Sequence, residues 1–173
     1  AGFGGVIQIR PAFDFLIGND RVTYKFEPQL ATSWSISTDG KTWGFKLKEG
    51  VFFNDAPGWK GTEFTSKDVI HTWKQDTMED SALTGAVFWQ RWLPDESHFD
   101  VKGPYEIDMH LAVPEPILDF WASELTFVIQ SEDYWNAVGD EGYAKHPVGT
   151  GAFSFVEREL NSHFLYEKVE DHW

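Results

Sequence analysis

Residues 29–53, QLATSWSISTDGKTWGFKLKEGVFF, constrain the fold of this chain more than any other stretch. Trp34 and Ile36 alternate before Asp39-Gly40, and Trp43, Phe45 and Leu47 alternate after it. Thr42, Lys46 and Lys48 fall between them on the opposite face. A period of two with one apolar face is the mark of a half-buried strand. Asp-Gly between two such runs marks the reversal, because glycine tolerates the positive φ of a tight turn. The spacing predicts a β-hairpin over residues 33–49 with its aromatic face on the core.

The rest of the chain supplies both strands and helices. Phe13, Phe15, Leu16 and Ile17 form an apolar cluster that must be buried, and Val6, Ile7 and Ile9 suit a short strand. Residues 50–61 contain Asn54-Asp55, Pro57-Gly58 and Gly61, and read as a loop. Thr65-Ser66-Lys67-Asp68 resembles a capping box with Asp in the usual Glu place. Val69, Ile70, Trp73 and Thr77 follow at helical spacing, with His71 off that stripe and expected at the surface or partly packed. Residues 99–112 predict a second hairpin turning at Gly103-Pro104. Pro114 and Pro116 lead into a short helix with Ile117, Leu118 and Trp121. Residues 126–129 read as a compact apolar strand. Ser131 caps a further helix that Gly139 is expected to end. Phe153-Phe155 and Phe164-Tyr166 lie in two more strand-like runs. Hairpins interleaved with helices argue for an α+β domain with largely antiparallel strands.

Charge and composition narrow the chemistry. The formal net charge is −14, from 28 acidic against 14 basic residues, which repels phosphate backbones and anionic lipid. No nucleic-acid role is expected. The chain has no cysteine, so thiol nucleophiles, thiolate metal sites and disulfides are excluded. The six histidines are dispersed and none pairs at His-x-x-x-His spacing, so no metal site is expected. No Gly-x-Ser-x-Gly elbow, phosphate loop or dinucleotide fingerprint occurs, and no cofactor is implied. Acidic pairs such as Glu79-Asp80 and Asp95-Glu96 are common, but none is singled out as a glycosidase pair. Aromatic residues make up 17% of the chain, so rings must fill an unusually aromatic core or line a groove. Phe88, Trp89 and Trp92, three large rings in five residues, carry both readings.

Three ordered matches give a resemblance. Leu30-Ala31-Thr32-Ser33-Trp34, Asp39-Gly40-Lys41-Thr42-Trp43 and Leu47-Lys48-Glu49-Gly50-Val51, followed by the helix start Thr65-Ser66-Lys67-Asp68-Val69, resemble a signature of the family 5 extracellular solute-binding proteins. These serve peptide, dipeptide and nickel ABC transporters. The run 105–111 with Pro114 and Pro116 is similar to that family's next strand and helix, and His146-Pro147-Val148-Gly149-Thr150-Gly151 is close to its NPVGTGPY motif. The loop at residues 54–61 is longer than the family's usual turn, and Ala152 stands where Pro is common.

The resemblance implies a mixed, largely antiparallel sheet with flanking helices, part of lobe one of a type II periplasmic-binding-protein fold. Residues 1–173 would form an incomplete N-terminal lobe, family-like from about residue 27, whose unpaired strand edges would favour homo-oligomers. The implied role is binding a peptide or other small solute for an ABC transporter permease, in the periplasm or outside the cell, without catalysis. Ile9, Arg10, Phe88, Trp89 and Trp92 are the expected groove-facing residues, whereas Asp39, Gly40, Gly149 and Gly151 read as turn formers. The alternatives are a stand-alone oligomeric interaction protein and a carbohydrate-active enzyme.

Overall fold

The computed structural model describes residues 10–20, 22–78, 85–123, 127–159 and 161–173. Its centre is a four-stranded antiparallel sheet of order β3–β4–β6–β5, made from β3 (Ala31–Ile36), β4 (Thr42–Leu47), β5 (Phe99–Gly103) and β6 (Glu106–His110). Both predicted hairpins are present. In the first, Gly40 adopts φ 71 and donates to Ser37 O at 2.9 Å, while Asp39 Oδ1 accepts from Lys41 N at 3.1 Å. Register places Trp43 opposite Met109 and Phe45 opposite Ile107, and all four are buried. Trp34 and Ile36 pair with Phe45 and Trp43 but lie on the edge strand, so Trp34 is only half-buried and Ile36 is exposed.

Helix α1 (Ser66–Asp76) begins as the capping box requires: Thr65 N donates to Asp68 Oδ2 at 2.9 Å. Trp73 crosses to Phe99 of β5 at 5.2 Å between ring centroids and donates from Nε1 to Leu93 O. The opposite side of α1 is a polar seam. Asp68 Oδ1 accepts from Glu132 N, Thr72 Oγ1 accepts from Gln130 N, and Gln130 Nε2 reaches Asp76 Oδ1 at 3.5 Å. This seam ties α1 to the start of α4 (Glu132–Lys145). His71 is buried rather than at the surface, edge-on to Trp135 at 5.5 Å, because α4 covers it. Burial lowers its pKa to about 4, assisted by the charge of Lys74.

Two shorter helices, α2 (Ala86–Trp92) and α3 (Leu118–Ser123), carry the aromatic cluster. Two separate antiparallel hairpins complete the fold: β1 (Ile17–Asn19) with β2 (Phe26–Pro28), and β7 (Phe153–Glu159) with β8 (His163–Lys168). Residues 127–129 do not form the expected strand. Phe127, Val128 and Ile129 are buried, but Ile129 N bonds to Asp14 O in place of a sheet partner. Gly139 ends the helical piece that Ser131 caps, as expected: it adopts φ 67, and a second helical piece follows it within α4 to Lys145. Val6, Ile7 and Ile9 lie outside the described residues.

Candidate functional site

A depression of about 300 Å³ opens beside the 3₁₀ turn Arg10–Ala12. Its walls come from that turn, from Phe13 to Phe15, from the β1–β2 hairpin with Asn19 and Glu27, from Ser123 at the end of α3, and from Phe153. The backbone that forms its floor is pinned from several sides. Gly151 N donates to Ala12 O at 3.0 Å, and Leu30 N donates to Phe15 O. A side chain on Gly151 would place Cβ 2.6 Å from Ala12 C, and one on Gly149 would meet Ala12 O at 2.2 Å. These two glycines are therefore close-approach positions, and Gly151 also lies in a bend of the chain.

Asp14 lies at the crossing of these segments and is 7% exposed. Its Oδ1 accepts from Gln29 Nε2 at 2.8 Å, and its Oδ2 accepts from Thr150 Oγ1 at 2.9 Å. Gln29 is itself oriented by Phe15 N, which donates to its Oε1. His172 Nε2 stands 3.9 Å from Asp14 Oδ2. Burial raises the carboxyl pKa, while the Thr150 bond, the His172 charge and the Gln29 bond oppose that rise. The result is a buried acid inside the wall of a small, mixed polar and aromatic depression, within the volume range of small-molecule sites.

The expected groove residues divide. Ile9 lies outside the described residues. Arg10 is on the rim of the depression, its guanidinium 5.4 Å above the Phe15 ring. Trp89 is fully buried, 4.5 Å from Phe127, and Trp92 is buried edge-on to Trp89. Phe88 is 42% exposed and stacks on Trp92. Asp14, Gln29, Thr150 and His172 were not singled out from sequence. The available signal was an acid in the middle of the apolar run Phe13–Asp14–Phe15–Leu16, and a hydroxyl between two glycines.

A second depression of about 440 Å³ lies between the 50–61 loop and residues 169–173, with His172 in both walls. Asn54 fixes it to the Gly-Thr-Gly segment, donating from Nδ2 to Gly151 O. Elsewhere, Asp100, Asp108 and His110 converge on the exposed face of β5 and β6. Lys102 pairs with both Asp100 and Asp108 there, so that cluster already contains its cation.

The fold has counterparts in known proteins. The chain is 28% identical to di/tripeptide-binding protein 1 of Pseudomonas aeruginosa, over 93% of this chain and 32% of that protein. A Helicobacter pylori ABC transporter-associated periplasmic binding protein, solved with the peptide STSA, superposes with a TM-score of 0.79 at 27% identity, covering 100% of this chain and 36% of that one. A Pseudoalteromonas dipeptide-binding protein, solved with Met-Leu, gives a TM-score of 0.82 at 25% identity, covering 100% and 37%. The chain thus spans about a third of the length of the relatives it matches. These relatives are binding proteins rather than enzymes. The family model for bacterial extracellular solute-binding proteins, family 5 Middle, matches residues 25–173, from β2 through the four-stranded sheet and helices α1 to α4 to the β7–β8 hairpin and Trp173; the chain belongs to that family.

Proposed function

We propose that this chain forms one wall of the ligand cleft of a solute-binding protein that delivers small peptides to an ABC transporter permease, in the periplasm or outside the cell, with no catalysis of its own. The observation that carries the reading is the likeness of the whole chain to two binding proteins solved with a tetrapeptide and a dipeptide. The depression beside Arg10 and Asp14 fits that role. It offers a cation at the rim, carboxylates in the wall and aromatic faces, the groups that recognise a zwitterionic backbone and its side chains. In this reading residues 1–173 are part of an N-terminal lobe, and Arg10 and Phe88 face the groove.

Calorimetric titration of the 173-residue chain with Ala-Ala tests this. A single wall covers one side of a ligand, so the expected Kd is about 1 mM, equivalent to about −4 kcal/mol. Glucose at equal concentration should give no heat. Absence of a peptide signal at about ten times that concentration, or equal heats for peptide and sugar, would refute the assignment.

A further inference from the structure

We propose that the exposed rings of Phe88 and Phe120, both packed against Trp121, form a shelf that receives a bulky apolar side chain of a peptide held in the depression. This rests on the function proposed above and adds a preference to it. The two rings differ from the rest of the aromatic cluster. Trp89 and Trp92 are interior, whereas Phe88 is 42% and Phe120 is 45% exposed. Both are held from beneath. Phe88 lies 4.9 Å from Trp121 at 32° and stacks on Trp92 at 5.9 Å, and Phe120 meets Trp121 edge-on at 5.6 Å. Rings oriented by buried neighbours present a contact surface that loses little entropy on binding.

Phe120 stands on the helix whose last residue, Ser123, reaches the depression. Ser123, in the depression wall, donates from Oγ to Phe120 O one turn earlier on α3. That separation is about 4.5 Å along the helix axis, little more than the reach of one extended peptide residue. Helix α3 also packs on β1 and β2, the hairpin that supplies Asn19 and Glu27 to the same wall. The occupant is a peptide side chain rather than a second copy of the chain, because a net charge of −14 opposes self-association. Neutral rings against an acidic surface favour aromatic and large aliphatic side chains over acidic ones.

The test is a calorimetric series with Ala-Ala-Ala and with the three tripeptides that carry Phe in turn at each position. The wild type should bind at least one Phe peptide about 3- to 10-fold more tightly than Ala-Ala-Ala. Phe88→Ala and Phe120→Ala should each weaken binding of the preferred Phe peptide by a larger factor than they weaken Ala-Ala-Ala, while Val101→Ala, at an exposed site on β5, should alter neither. Persistence of the preference in both shelf variants, or equal weakening toward every peptide, would overturn the shelf while leaving the peptide reading intact. A wild type that binds no peptide would overturn both. Sedimentation showing a dimer that Phe88→Ala dissociates would also overturn it, by giving the shelf to a second copy.

Discussion

Replacing Asp14 probes the joint on which the candidate site is built. In Asp14→Ala, Gln29 Nε2 and Thr150 Oγ1 lose their acceptors at 2.8 and 2.9 Å in a buried setting. Each orphaned donor costs about 1–3 kcal/mol. Removing a carboxylate that burial already disfavours returns part of this, which leaves a net loss of about 2 kcal/mol. Asp14→Asn should lose less than about 1 kcal/mol, because its Oδ1 still serves Gln29 and its Nδ2 can donate to the Thr150 hydroxyl. The two variants also separate the bonds from the charge. The folded pKa of Asp14 is raised, so its favourable contribution is full below the unfolded value of 3.8 and fades as pH climbs through the folded value. Wild type should therefore lose stability relative to Asp14→Asn between pH 4 and 7.5. Urea denaturation followed by far-ultraviolet circular dichroism at both pH values measures this. An Ala variant as stable as wild type, or an Asn variant as damaged as Ala, would refute the joint.

Two further substitutions test neighbouring arguments. Gly151→Ala should destabilise by about 1–3 kcal/mol, since its Cβ would meet the backbone of residues 11–13 at 2.6–2.7 Å, whereas Gly103→Ala, with nothing within 4 Å, should stay within about 0.5 kcal/mol in the same urea assay. In the polar seam, desolvation pushes Asp68 up to about 6 and raises Asp76 well above its ordinary value. Raised carboxyls stabilise below their unfolded pKa and lose that contribution as pH rises, so the contribution of Asp68 and Asp76 should fall from pH 4 to 8, while the lowered His71 contributes in the opposite direction between about pH 4 and 6.5. Asp76→Asn, which keeps an acceptor for Gln130, should raise stability at pH 8 by at least about 1 kcal/mol and change little at pH 4.

Local pattern was readable wherever one strong rule acted alone. The Asp39-Gly40 turn, the alternation of Trp43, Phe45 and Leu47, and the Thr65–Asp68 cap all appear as their chemistry dictates. Reading failed where distant segments meet. His71 is interior because α4 covers it, and no pattern within α1 encodes that contact. Gly149 and Gly151 have the residue type of turns, and the backbone approach from residues 11–13 that they also serve is not visible from it. The apolar run ending at Ile129 satisfies burial without a ladder, since periodicity cannot tell a buried strand from a buried coil. The site was the least readable part. Asp14 acquires its meaning from Thr150, 136 residues away, and from Gln29 on another segment. The aromatic cluster was visible, but only the fold separates the interior Trp89 and Trp92 from the exposed Phe88.

The central claim is that small peptides occupy the depression beside Arg10 and Asp14. Amide chemical-shift mapping during titration of the 173-residue chain with Ala-Ala tests it most directly. The account predicts shifts at Arg10, Asp14, Phe15, Asn19, Glu27 and Phe153, which line that depression, and a silent β3–β4 hairpin. Shifts confined to the β3–β4 hairpin or to the α1–α4 seam, with the depression unmoved, would contradict it.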